Sequence, residues 1–208
     1  MRRVGLVLIA IGIIDIGVMI YCIANKIGYS SSFNIFSLLA GIFLWRGHLG
    51  AAKFLTSASA FFFAGFLTAV LLLPFFFPIK LLVLYFQESP IQIVLTVVLM
   101  GAVVYVMYWV YGQLRSSSVL EARGAAGHST YKPNLAFGIG AGIPVLVVTL
   151  LLFTRFGETG KMVVSKAENI VGEGYEYHIQ SFKSSGSTGR ATVVAYNESE
   201  YKKVKVSW

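Results

Sequence analysis

The sequence predicts a polytopic α-helical membrane protein of five transmembrane helices followed by a small C-terminal α+β domain, a short helix plus a three-stranded antiparallel sheet. Three observations carry that expectation. The 208 residues are 56% hydrophobic and 12% charged, with positive mean hydropathy, which is too apolar for a soluble domain with a polar surface. The apolar residues gather in runs close to the roughly 20 residues that a hydrocarbon core demands. From residue 155 onward the pattern changes to the two-residue alternation of half-buried strands.

The expected spans are Val4–Ala24, Phe33–Trp45, Phe54–Leu73, Ile91–Tyr111 and Leu135–Phe153. The second is short, and it crosses only if its flanks, out to residue 49, reach the interfaces while Arg46 snorkels outward. An odd number of crossings puts the termini on opposite sides. Lys and Arg in short loops resist translocation. With the N-terminus inside, the inner segments carry Arg2, Arg3, Arg46, Lys53, Arg115, Arg123 and Lys132, and the outer loops only Lys26 and Lys80. The expected location is therefore a bacterial inner membrane, with the N-terminus cytoplasmic and residues 155–208 extracytoplasmic. The division into domains is 1–154 and 155–208.

Arg2 and Arg3 ahead of an apolar run resemble the start of a signal peptide, but the length of that run and its interior Asp15 favour an uncleaved anchor. Cys22 is the only cysteine, which excludes an intrachain disulfide and a metal site of paired thiols. The net charge of +8 is scattered over loops, with no basic helix and no basic patch interleaved with aromatics, so no nucleic-acid partner is expected. Membrane lipid is the partner that composition implies.

The loop 25–32 is short, so the first two spans should be antiparallel neighbours. His48 in "RGHLGAAK" reads as a solvated side chain. In "LLLPFFFPIK", Pro74 and Pro78 stop or bend the third helix and leave three Phe rings at the membrane edge. Ile79–Gln87 then reads as a helix in the outer interface, with Lys80 and Glu88 toward water. Residues 112–134 read as a flexible linker with one helical turn around Val119–Arg123.

In the last segment, "EYKKVKVSW" sets Val204, Val206 and Trp208 against Lys203, Lys205 and Ser207, and "GYEYHIQSF" sets Tyr175, Tyr177 and Ile179 against Glu176, His178 and Gln180. "RATVVAYN" is a strand between them, joined to the last by "NESE" as a short turn. Lys161–Val171 has Val164, Ala167 and Val171 at helical spacing. About 50 residues make a marginal core without disulfides. The face bearing Tyr175, Tyr177, Val204, Val206 and Trp208 therefore calls for cover, from that helix, from the membrane-edge helix or from a docked protein, and two strand edges stand open to a partner. His178 reads as part of a solvated strand face.

One residue resists the lipid reading. Asp15 in "IGIIDIGVMI" lies roughly 16 Å from the inner edge of the first span, near the bilayer midplane. Gly41, Gly65, Gly101 and Gly142 fall at similar depth. In "GIGAGIP", Gly138 and Gly142 have the spacing of a close-contact face, and Pro144 frees the carbonyl of Gly140. The expected site is thus Asp15, Gly140, Gly142 and Pro144, with a neutral Asp15 donating to that carbonyl or to Thr68, Thr96 or Tyr105. A structural lock suffices to explain it; the alternative is a proton or cation site.

There is no HExxH, nucleophile elbow, P-loop or pair of carboxylates on one membrane face, so no catalytic residue, metal or cofactor is expected. The resulting expectation is a non-enzymatic membrane accessory, scaffold or assembly component that docks a protein partner through residues 155–208. The alternative is a small transporter or channel subunit built on Asp15.

Overall fold

Long apolar runs make long helices, because a chain in hydrocarbon must satisfy its backbone polar groups internally. The computed structural model describes residues 1–29, 34–185 and 188–208. Among the described residues, four helices are long and apolar enough to cross a membrane: α1 (Arg2–Ala24), α3 (Leu49–Leu71), α6 (Pro90–Leu114) and α8 (Asn134–Phe156). That is one fewer than the sequence predicts. The difference is α2 (Asn34–Trp45), whose 12 residues span roughly 18 Å against a hydrocarbon thickness of about 30 Å. Phe33, the expected start of that span, lies outside the described residues. The expected C-terminal flank of α2 instead begins α3 at Leu49.

Proline sets several boundaries. Ahead of Pro74, α3 stops at Leu71, and α4 (Leu73–Phe76) is a single turn. Phe77 is extended, Pro78 caps α5 (Ile79–Glu88), and Pro90 opens α6, where its missing N–H is not needed. Pro144 sits inside α8 without ending it. The shorter helices α7 (Ser117–Ala125) and α9 (Glu158–Val171) complete the helical set, and β1 (Glu176–Ser185), β2 (Thr188–Tyr196) and β3 (Tyr201–Ser207) form the sheet.

The contacts divide the chain into two units, 1–64 with 102–140 and 65–101 with 141–208. In the first, α1 and α2 meet backbone to backbone. A Cβ on Gly5 would lie 2.7 Å from the Gly41 carbonyl and the Trp45 nitrogen, so only glycine permits the approach. Val4 and Leu8 of α1, Leu44 of α2, Ala52 and Leu55 of α3, and Val110 and Leu114 of α6 form one buried cluster. A Cβ on Gly140 would collide with the Phe61 carbonyl, which brings α8 against α3. The expected linker at 112–134 instead carries α7 over Ser117–Ala125, longer than the single turn expected there. Val119 and Arg123 of α7 are buried, and Arg123 donates from Nη1 to Thr56 Oγ1 at 3.2 Å and from Nη2 to the Ser129 carbonyl.

In the second unit the sheet is antiparallel in the order β1-β2-β3. Ile179, Val193 and Val204 stand in register on one face, His178, Val194 and Lys203 on the other, and a bulge interrupts β1 between Ile179 and Ser181. The "NESE" turn is held by Asn197, whose Oδ1 accepts from the nitrogens of Ser199 and Glu200, each at 2.9 Å. Gly172 and Gly174, at φ 98° and 99°, turn the chain from α9 into β1 through backbone space that side chains avoid.

Both faces of this sheet are covered by the chain itself. Val163 and Ala167 of α9 lie on Ile179, Ala191, Val193 and Val206, while Leu81 and Leu84 of α5 lie on Val194 and Tyr196. Val163, Leu81, Val193 and Val194 are fully buried. At about 1.5–3 kcal/mol for each large apolar side chain, this two-sided core stands in for absent disulfides.

Candidate functional site

Of the residues singled out by the sequence, Asp15 is half-buried on α1 and accepts a hydrogen bond at 2.6 Å from the phenol of Tyr29, which also approaches the Asp15 carbonyl at 3.2 Å. The acid is thus an acceptor here, held by a residue of the connection after α1. Gly140 spends its missing side chain on contact with Phe61, whereas Gly138, Gly142 and Gly101 have nothing near their Cβ positions. Gly5, Gly41 and Gly140 are thus glycines of the first unit that neighbouring backbone approaches closely.

The five residues expected to dock a partner are also accounted for. Tyr177, Val204, Val206 and Trp208 belong to the cluster under α9, and Tyr177 donates to the Gly172 carbonyl at 2.6 Å. Trp208 covers Gly189, with reciprocal backbone hydrogen bonds of 2.8 and 3.1 Å, and its ring lies 5.2 Å from that of Phe182. Tyr175 donates to Glu200 and accepts from Lys202 at 2.7 Å.

His178 departs from its expected solvated position. It is 6% exposed, because the α4–α5 segment covers its face of the sheet and sets the Phe77 ring 6.0 Å away. Arg155, one residue before the end of α8, reaches the same spot. Its Nη1 donates to the carbonyls of Phe75 at 3.3 Å and Phe76 at 3.1 Å, and its Nη2 lies 3.2 Å from His178 Nε2. A guanidinium can only donate, so Nε2 is the accepting nitrogen and the imidazole is neutral. Burial, and then the charge of Arg155, push the His178 pKa down to about 4, against an opposing hydrogen bond with the Phe76 backbone. Among the described residues no carboxylate lies within ion-pair reach of Arg155.

This pair sits at the edge of a groove of about 760 Å³. Pro74, Phe75 and Pro78 line one side, and Leu152, Arg155 and Phe156 line the end of α8. From α9 come Lys161, Val164, Ser165 and Glu168, the i, i+3, i+4, i+7 stripe of one helix face. Chemically, the groove offers a cationic end, an apolar wall and a carboxylate two turns along α9. It is poorly built for general-base work, since the only accepting nitrogen of His178 is taken by Arg155.

Around it, the other titratable groups of this unit tie elements together. Lys80 and Glu176 approach to 2.5 Å, and Tyr196 donates to Glu176 at 2.8 Å. These partners hold the Glu176 carboxyl below its usual range, the Lys80 hydrogen bond most of all. Tyr201 donates to Glu88, which pushes its own pKa up to about 12.

Sequence reasoning missed Arg155 and His178. An Arg at the end of an apolar run reads as an interface flank, and a His among polar neighbours reads as solvated. One signal was available: Val193, Val194, Ala195 and Tyr196 are consecutive apolar residues, the mark of a central strand buried on both sides, and His178 is the register neighbour of Val194. No protein-family model matches the chain, and no curated protein or solved structure matches it.

Proposed function

We propose that this chain is a non-enzymatic integral membrane accessory, scaffold or assembly protein whose C-terminal α+β domain docks a protein partner outside the cytoplasm. The supporting observation is the β3 edge. The sheet order leaves the outer side of β3 without a ladder partner among the described residues, and Lys203 and Lys205 stand exposed along it. A lysine-bearing edge resists pairing with a copy of itself and suits an acidic partner segment. The β1 edge is less suited, being broken by its bulge.

In this reading the chain crosses the bilayer five times. Leu44 near the end of α2 packs with Val4 near the start of α1 and Ala52 near the start of α3, so the chain has returned to the level of its N-terminus before α3 begins. Gly41 faces Gly5 and Ile9, which sets Asn34, roughly 10 Å of helical rise earlier, near the depth of Asp15. The hydrogen bond from Tyr29 to Asp15 holds residue 29 near that same depth, which supports a second crossing. The excess of Lys and Arg on the N-terminal side gives the orientation.

The test is purification of the full chain from native membranes in mild detergent, beside a Lys203→Glu, Lys205→Glu variant of unchanged melting temperature. A stoichiometric partner held by the native chain and lost from the variant is the expected result. Absence of any such partner, with cation or proton flux in liposomes that depends on Asp15, overturns it in favour of a transporter or channel subunit.

A further inference from the structure

The groove beside Arg155 is lined by cationic, apolar and acidic groups that an amphiphile would satisfy together. Among the described residues Arg155 is neutralised by no acid, since its partners are two carbonyls and a neutral imidazole. Lys161, exposed in the first turn of α9 and next to Gly160, whose Cβ position abuts the Arg155 carbonyl, adds a second positive charge to the lining. This end of the groove coincides with the C-terminal end of a helix long and apolar enough to cross a membrane, where a bilayer presents its phosphates.

The wall beside these cations is apolar and continues toward hydrocarbon. Phe75 and Phe156 line the groove at 55% and 74% exposure, and Phe153, one turn back on α8, is 80% exposed. Aromatic rings so exposed at a helix end belong to the membrane interface. In the other direction, Glu168 follows Lys161 along the groove face of α9 by seven residues, roughly 10 Å of helical rise. From the end of α8 along α9 the lining therefore runs from apolar wall through two cations to a carboxylate. That is the order of acyl chain, phosphate and amine in a zwitterionic phospholipid.

We propose that this groove binds one ethanolamine phospholipid. Its phosphodiester lies against Arg155 and Lys161, its first acyl carbons lie along Phe75, Leu152 and Phe156, and its ammonium turns toward Glu168. A volume of about 760 Å³ holds a headgroup and the start of its chains. The site stands whether or not a protein docks at β3, because the two share no residue.

The full chain, purified in mild detergent and stripped of loosely held lipid, is to be examined by native mass spectrometry with phosphatidylethanolamine, phosphatidylglycerol, diacylglycerol and inorganic phosphate as probes. One phosphatidylethanolamine per chain is expected to survive, with diacylglycerol not retained and millimolar phosphate unable to displace it. Lys161→Gln, an exposed position that spares the fold, should weaken retention by about tenfold. Glu168→Gln should abolish the preference for ethanolamine over glycerol headgroups. Equal retention of diacylglycerol, displacement by inorganic phosphate, or an unchanged affinity in Lys161→Gln overturns the phospholipid site, and an unchanged preference in Glu168→Gln overturns the ethanolamine assignment.

Discussion

Asp15 and Arg155 are both polar side chains within long apolar helices, yet the chain secures them by different means. Asp15 is met by Tyr29, fourteen residues away and directly after the same helix. Arg155 is met by the carbonyls of Phe75 and Phe76, some eighty residues upstream, and by His178, twenty-three residues downstream on a strand. The first is a local arrangement that closes one connection. The second draws the end of α8, the α4–α5 segment and β1 to one point, so it carries more of the fold.

That difference sets the order of mutational effects. Arg155→Ala takes the donor from the Phe75 carbonyl and the imidazole, and one of two donors from the Phe76 carbonyl, and should cost about 3 kcal/mol in the unfolding of the detergent-solubilised chain. Arg155→Lys should recover only part of this, because an ammonium lacks the planar fork that reaches three acceptors. Tyr29→Phe removes a single hydroxyl and should cost about 1 kcal/mol by the same measurement. Asp15→Asn keeps an acceptor oxygen for Tyr29 and should cost less still, with function retained. A larger loss in Asp15→Asn than in Arg155→Ala would reverse the ranking and return attention to Asp15 as the working site.

The same contrast explains what could be read in the sequence. Helices α1, α3, α6 and α8 were legible because composition over twenty residues decides them, and β1 and β3 because alternation does. The turn at Asn197, and a helix packed on the sheet through Ala167, followed from local chemistry as well. The shortness of α2 was visible as a length deficit around Asn34–Trp45. The glycine contacts were legible in kind but not in position, since Gly140 and Gly142 are equally small and only the neighbouring helix selects one of them. The Arg155–His178 pair was hidden because each residue has an ordinary local explanation, and only the cover of the second sheet face by Leu81 and Leu84 makes His178 an interior group.

An interior imidazole held neutral by burial and by a guanidinium has a direct consequence for pH. The unfolded chain takes up a proton on His178 below the ordinary value of 6.5, while the folded chain resists until about 4. The contribution is therefore fully present above pH 6.5 and is lost as pH falls toward 4, about 3 kcal/mol in all. Titration of the His178 ring by NMR in the full chain is the most direct test of the second site. A midpoint near 4, moving upward in Arg155→Lys if the altered contact relaxes the burial, is the expected result; a midpoint near 6.5 in the native chain would contradict it.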